Sequence, residues 1–120
     1  MVNELYTVTP SSQPLGAYQV YPHLRRDPQN DAWALTLVFS RPPDLPPMRG
    51  EEVEAQLLDP SGHPFKVTKR PSGLLVEVGG SLGTSVNADF VFADAEKTPE
   101  SLLVSYRDQT VRFRIQHVPP

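Results

Sequence analysis

Proline divides this chain into short segments, and its placement restricts the fold more than any other sequence feature. The fourteen prolines fall between stretches in which apolar and polar residues alternate. Proline lacks a backbone N–H and disrupts helix interiors, so long helices are not expected. Because 38% of the residues are apolar and follow a regular period, the sequence indicates a loop-rich β domain rather than disorder.

Size and charge limit the classes of protein to consider. The 120 residues fit one domain, which we divide into an extended N-terminal arm, residues 1–14, and a β domain, residues 15–120. Cysteine is absent, so disulfides and thiolate chemistry are excluded. The net charge of −3 argues against general nucleic-acid binding.

The N-terminus lacks the pattern of a signal peptide, and no apolar run reaches the length of a membrane span. We therefore expect neither a signal peptide nor a transmembrane segment. Localisation stays open.

The clearest strand signal is AWALTLVFS, residues 32–40. Large apolar residues occupy every second position and predict one buried face. The opposite face, with Ala34, Thr36 and Val38, is also suited to partial burial, which is typical of a central strand. The segment LGAYQVY, residues 15–21, alternates less clearly and predicts an edge strand. The side chains of residues 32–40 predicted to share the inner face are Trp33, Leu35, Leu37 and Phe39.

A hairpin is predicted in EVEAQLLDPSGHPFKVTK, with a three-residue loop at 60–62. A type I turn followed by a left-handed glycine suits this loop. Counting outward from the loop gives three expected pairs: Asp59 with His63, Leu57 with Phe65, and Ala55 with Val67.

A closing hairpin is predicted in LLVSYRDQTVRFRI, residues 102–115. A two-residue loop at Asp108 and Gln109 and a four-residue loop give the same register, and the choice between them stays open. In that register the apolar side chains share one face, whereas Arg112 and Arg114 point to the other. The expected pairs are Tyr106 with Val111, Val104 with Phe113, and Leu102 with Ile115.

The segments between the hairpins predict two further strands, at residues 73–80 and 85–93. The first has an apolar stripe of Leu74, Val76 and Val78, and the second has a stripe of Val86, Ala88, Phe90 and Phe92. Residues 94–102 favour one short helical turn, with Thr98 as its cap and Pro99 in its first position.

Seven to nine short strands separated by turns predict an all-β, antiparallel sandwich or small barrel. The runs LLDPSGHPF and ADFVFADAEKTPESLLVSYRDQTVRFRI resemble the later half of bacterial immunoglobulin-like accessory domains of the telokin-like kind. The resemblance covers roughly the last two thirds of the chain and implies an immunoglobulin-like β-sandwich. Such domains are usually exported and commonly lack a known activity.

Catalytic and cofactor patterns are not found in the sequence. The three histidines lie in different segments without metal-ligand spacing. Neither a G-x-S-x-G elbow nor a phosphate loop occurs. We therefore expect no catalytic residue, no metal and no cofactor, and we predict that the protein is not an enzyme.

Two surfaces are candidates for contact with a protein partner or with a second copy. One is the arginine face, Leu103, Arg112 and Arg114, which is either an interface or a solvated sheet face. The other is the arm, which either pairs with its own sheet or adds a strand to a neighbour. The arm residues proposed for contact are Leu5, Tyr6 and Val8.

The sequence thus favours a noncatalytic protein-interaction module, a structural or accessory subunit of a larger assembly such as viral or bacterial surface machinery. The alternative is a β-sandwich that binds carbohydrate or another small ligand through Tyr18 and Tyr21. These two tyrosines lie on opposite faces of the extended segment 15–21, so only one of them is expected to point outward.

Overall fold

The computed structural model describes residues 5–41, 44–45, 47–80, 83–94 and 96–118. These residues form two antiparallel sheets and one short 3-10 helix, Gly50–Glu52. The expectation of an all-β protein is confirmed, with ten strands in the described part of the chain where seven to nine were predicted. The strands are β1 (Leu5–Thr9), β2 (Gln13–Leu15), β3 (Tyr18–Asp27), β4 (Ala32–Arg41), β5 (Val53–Leu58), β6 (Val67–Lys69), β7 (Val76–Gly80), β8 (Gly83–Phe92), β9 (Ser101–Tyr106) and β10 (Gln109–Val118).

The two sheets pack face to face as a sandwich. One has four strands in the order β1-β10-β9-β5, and the other has the order β2-β3-β4-β8, with both β6 and β7 paired to the outer edge of β8. One hydrophobic cluster contains buried side chains from both sheets. Burial of these apolar side chains supplies the main stabilisation of such a fold.

The prediction for residues 32–40 is confirmed. Strand β4 lies between β3 and β8, and its four inward side chains are at most 1% exposed. The outward side chains Ala34, Thr36 and Val38 are half-buried, because side chains of both neighbouring strands cover them in part, whereas Ser40 near the end of β4 is exposed. The inner stripe of β8 is confirmed as well, since Val86, Ala88, Phe90 and Phe92 are all buried.

The turn at residues 60–62 is confirmed, but the hairpin is shorter than predicted. Asp59 N–H donates to the carbonyl of His63 at 3.0 Å, and Phe65 N–H donates to the carbonyl of Leu57 at 2.8 Å. The expected pair of Ala55 with Val67 is wrong. After Phe65 the chain crosses to the other sheet, where Val67 pairs with Phe92, while Ala55 pairs with Val104 on β9.

The closing hairpin has the predicted faces and a different register. Val111 pairs with Val104 and Phe113 with Leu102, so every expected pair is displaced by two residues. The turn consists of Arg107 and Asp108, and Arg107 has a φ of 58°. A slip of two residues keeps each side chain on its face, and the apolar side of the hairpin therefore still lies in the core.

The single edge strand predicted at residues 15–21 is wrong. Gly16, with a φ of 65°, and Ala17 form a turn that separates β2 from β3. Strand β3 then continues through Pro22, which lies within the strand, as Pro14 lies within β2. Beyond Val20, β2 no longer pairs with β3, so Pro22 occupies an edge position that needs no donor on its open side.

Two further local predictions are wrong. Leu74 is 63% exposed, and Leu75 is the buried residue of that segment. The other two residues of the predicted stripe, Val76 and Val78, have side chains outside the described part of the structure. The described residues between 94 and 102 contain no helix, because Asp94 adopts a φ of 64° and opens a turn that Lys97 closes at 2.9 Å.

The described part of the N-terminal arm is incorporated into both sheets. Strand β1 pairs antiparallel with β10 of the same chain, and β2, which begins inside the arm, pairs with β3. Residues 10–12 cross from one sheet to the other. The arm therefore adds an edge strand to each sheet of its own domain.

Candidate contact surface

The outer face of the four-stranded sheet carries both arginines of the closing hairpin. Arg112 pairs with Leu103 and Arg114 pairs with Ser101 across the β9–β10 ladder. Phe113, between the two arginines, is fully buried. Because side chains alternate along a strand, Arg112 and Arg114 point away from the core, as predicted, and both are exposed.

Arg112 is held by contacts on two sides. Its guanidinium Nη2 donates to the hydroxyl of Ser101 at 3.3 Å, and its backbone carbonyl accepts a hydrogen bond from the side-chain amide of Gln13. Gln13 lies at the start of β2, beyond the point where β1 leaves β10. The sheet crossing of the arm therefore supports the strand that carries the arginines.

A cleft of about 670 Å³ opens beside these arginines. Arg114 stands between two small side chains, since its neighbours across the sheet are Thr9 on β1 and Ser101 on β9. Small residues on both sides of a long one leave a depression in the sheet surface. The lining residues are Thr9, Pro10, Glu100, Ser101, Arg112, Phe113 and Arg114.

Backbone hydrogen bonds fix the rim of the cleft at Glu100. Its N–H donates to the carbonyl of Leu58 at 2.8 Å, and its carbonyl accepts from Ile115 N–H at 2.8 Å. Glu100 is thereby fastened to β5 on one side and to β10 on the other. Hydrogen-bonded backbone thus holds the Glu100 side of the cleft in place.

The two arginines differ in their charge environment from most other arginines of the protein. Within the described ranges, neither Arg112 nor Arg114 forms an ion pair with a carboxylate. Elsewhere arginines face carboxylates: the pairs are Arg49 with Glu51 at 2.9 Å, Arg70 with Glu54 at 3.0 Å, Arg107 with Glu52 at 3.4 Å and Arg26 with Asp31 at 3.8 Å. Among the described residues, both arginines of the cleft are thus exposed and lie outside ion-pair distance of any carboxylate, although Glu100 also lines the cleft.

A second, smaller cleft of about 200 Å³ lies at one end of the sandwich, between the β2–β3 and β9–β10 turns. Tyr106 donates to Glu52 Oε2 at 3.2 Å, and the Arg107 guanidinium lies 5.2 Å from the centre of the Tyr106 ring. Burial raises the pKa of Tyr106 to about 12, and nearby Tyr18 adds to the rise. Sequence reasoning missed this cluster, since its members come from separate segments without a shared motif. Tyr106 and Arg107 both donate to Glu52 Oε2, so the polar groups of these three residues are paired with one another.

The arm residues predicted for contact lie partly inside the protein. Tyr6 and Val8 are half-buried and pack against the hydrophobic core. Leu5 pairs with Val118 through the backbone, and its side chain lies outside the described features. The predicted contact residues that face outward together are therefore Leu103, Arg112 and Arg114, of which Leu103 is half-buried.

The two tyrosines of the alternative ligand site do not lie together. Tyr18 is 9% exposed, and its ring meets that of Tyr106 edge-on at 5.3 Å. Tyr21 is 39% exposed and pairs with Val38 on the outer face of the six-stranded sheet. Only Tyr21 presents its ring to solvent.

Histidines and carboxylates are dispersed in the described part of the chain. No group of three or more potential metal ligands occurs among those residues. His63 Nδ1 lies 4.0 Å from Asp59 Oδ1 at the turn, and His117 stacks on Tyr6. Over the same residues, no helix has the length and apolar character to cross a membrane.

Comparison with known proteins adds no relative, since no protein-family model, curated protein or solved structure matches this chain.

Proposed function

We propose that this protein is a noncatalytic protein–protein interaction module, a structural or accessory subunit of a larger assembly such as viral or bacterial surface machinery. Its contact surface would be the outer face of the four-stranded sheet. One observation carries the proposal: Arg112 and Arg114 flank the 670 Å³ cleft without a carboxylate partner among the described residues. Arginine is enriched at protein interfaces and often dominates their binding energy.

The side chains lining the cleft suit contact with a partner. Thr9 and Ser101 supply hydroxyl groups, the two arginines supply donors, and Glu100 supplies one carboxylate. Half-buried Leu103 adds an apolar neighbour across from Arg112. An interface of this type would combine an apolar centre with a polar rim.

We further propose that the sandwich is immunoglobulin-like, of the telokin-like accessory kind. The order of strands supports this: β3-β4-β8-β6 in one sheet faces β5-β9-β10 in the other. If β3, β4, β5, β6, β8, β9 and β10 are lettered A to G in chain order, the two sheets have the strand orders ABED and CFG, as in an immunoglobulin constant-type domain. Strands β1 and β2 would then be additions from the N-terminal arm, and β7, which pairs with β8, would be a third addition.

The test uses charge reversal on the proposed surface. Affinity capture from the native host and size-exclusion chromatography with light scattering would compare the wild type with R112E/R114E. The matched control is R25E/R26E, because Arg25 and Arg26 are exposed on the other sheet and the change in net charge is equal.

We expect R112E/R114E to lose the partner or the self-associated species, and the control to retain it. A complex that survives in R112E/R114E would show that this face is not the contact surface. A monomeric wild type that captures no partner would contradict the interaction function as a whole.

A second candidate function is binding of carbohydrate or a small ligand. The observation in its favour is the exposed ring of Tyr21 on the sheet face opposite the arginines. Sugars stack on exposed aromatic rings, so glycan binding that is lost in Y21A and kept in Y18F would support this function. An array on which the wild type binds no glycan would remove it.

A further inference from the structure

We propose that the segment bound in the arginine-lined cleft is an extended acidic peptide of the partner, with its carboxylates on Arg112 and Arg114. This inference rests on the proposed interaction function and adds the chemistry of the partner. It is carried by the spacing of the two arginines, by the absence of an ion pair at either of them among the described residues, and by the size of the cleft.

The spacing of the arginines matches that of an extended peptide. Arg112 and Arg114 are two residues apart on one strand and point to the same side. Strands rise by about 3.3 Å per residue, so the two Cα atoms are separated by roughly 6.6 Å. In a peptide lying along β10, side chains at alternate positions repeat at the same interval. Two carboxylates separated by one residue would therefore each face one arginine.

The donors of both guanidinium groups are available for such carboxylates. Arg112 uses one donor on the neutral hydroxyl of Ser101, and Arg114 makes no side-chain hydrogen bond within the described ranges. A guanidinium has five N–H donors and binds a carboxylate through two parallel hydrogen bonds. The contact with Ser101 thus orients Arg112 and leaves most of its donors free.

The charge of the cleft favours an acidic partner over a basic one. Two arginines and one glutamate line it, so its local charge is positive although the whole chain carries −3. Glu100 stands at the rim, where it would repel a ligand that placed a carboxylate near residue 100 rather than along β10. The position of Glu100 therefore restricts the register in which an acidic peptide can bind.

The size of the cleft favours a peptide over a small anion. Its volume of about 670 Å³ falls within the range of about 300 to 1,000 Å³ typical of clefts that bind drug-sized molecules and cofactors. An inorganic anion would fill only a small part of it. The backbone and intervening side chains of a peptide would occupy the rest, against Pro10 and Thr9.

The test measures binding of a defined probe by fluorescence anisotropy. The probe is a labelled short peptide in which glutamate alternates with threonine, and the matched probe has glutamine in place of each glutamate. The proteins are the full-length wild type, R112Q/R114Q, and the control R25Q/R26Q with the same change in net charge. Titrations at ionic strengths of about 0.05 M and about 0.5 M measure the electrostatic contribution.

We expect the glutamate probe to bind the wild type and R25Q/R26Q equally, and to bind R112Q/R114Q about tenfold or more weakly. The glutamine probe should bind weakly to all three proteins. Equal weakening in the two double variants would show unspecific attraction, and equal binding of the two probes would show that carboxylates are not recognised. Either result overturns the acidic-peptide proposal.

Failure of this inference is distinguishable from failure of the proposed function. If R112E/R114E loses a partner in the capture experiment while the glutamate probe does not bind the wild type, the surface is an interface for a partner of other chemistry. If the capture experiment yields neither partner nor self-association, the interaction function itself fails.

Discussion

The ring of Tyr6 meets the ring of Trp33 edge-on, with the ring centroids 4.9 Å apart and the ring planes at 87°. Tyr6 belongs to β1 in the four-stranded sheet, and Trp33 belongs to β4 in the six-stranded sheet. Tyr6 also stacks on His117 of β10, at 4.9 Å between centroids. One aromatic side chain of the N-terminal arm therefore joins both layers of the sandwich.

Replacing Tyr6 by alanine should destabilise the whole domain. The change removes an edge-to-face aromatic pair and leaves a gap beside fully buried Trp33, at a cost of about 2 kcal/mol in the free energy of unfolding. Urea denaturation followed by tryptophan fluorescence would measure the loss, since Trp33 is the only tryptophan.

The control is T7A in the same strand. Thr7 is exposed and pairs with Gln116 on the outer face of the sheet, so the free energy of unfolding should change by no more than about 0.5 kcal/mol. If Y6A were as stable as T7A, the arm would contribute no packing energy to the sandwich.

Alkaline pH should destabilise the protein through Tyr106. Burial raises the pKa of this phenol to about 12, whereas a tyrosine in an unfolded chain titrates near about 10. Between these two values the folded protein holds a proton that the unfolded chain has released. The free energy of unfolding therefore falls as the pH rises from about 10 to about 12. Urea denaturation at about pH 9 and about pH 11 would measure the fall.

The variant Y106F separates this titration from that of other groups. It keeps the ring against Tyr18 and loses the hydrogen bond to Glu52, which should cost about 1 kcal/mol at neutral pH. Its stability should fall less steeply than that of the wild type above about pH 10. Parallel pH profiles of the two proteins would assign the alkaline loss to other residues.

The closing hairpin shows which features could be read from the sequence and which could not. Alternation placed Phe113 inside and Arg112 outside correctly, because the inward face follows from a period of two. The register was displaced by two residues, since Val104 finds an apolar partner in Val111 as well as in Phe113. Arg107 carries the left-handed turn, and arginine gives no sequence signal for that conformation.

The points at which the chain crosses from one sheet to the other could not be predicted from the sequence either. The chain leaves the first hairpin after Phe65 and joins the other sheet at Val67, yet both residues have the apolar pattern of a continuing strand. The cleft combines residues from β1, β9 and β10, which only the sheet topology brings together. Its arginine component was predictable from one strand, whereas Thr9 and Glu100 could not be assigned without the fold.

Substituting Gly50 by alanine should destabilise the segment before β5. A Cβ atom at this position would lie 2.6 Å from the backbone nitrogen of Ser72 and 2.7 Å from the carbonyl carbon of Pro71. Gly50 N–H also donates to the carbonyl of Gly73 at 2.7 Å, so the two segments cannot separate without losing this bond. We expect a loss of about 2 kcal/mol or more in thermal or urea denaturation. An unchanged midpoint would mean that residues 71–73 move away at little cost.

Gly62 should respond to substitution for a different reason. A Cβ atom there would meet no atom within 4 Å, but the residue has a φ of 84°, which side-chain-bearing residues rarely adopt. G62A should therefore lower the free energy of unfolding by about 1 kcal/mol through backbone strain alone, and G62N should lower it less because asparagine tolerates this conformation better. Urea denaturation of both variants would rank them. An alanine variant as stable as the asparagine variant would show that the 60–62 turn can adopt another conformation without cost, and the register that places Phe65 opposite Leu57 would then need a determinant other than this glycine.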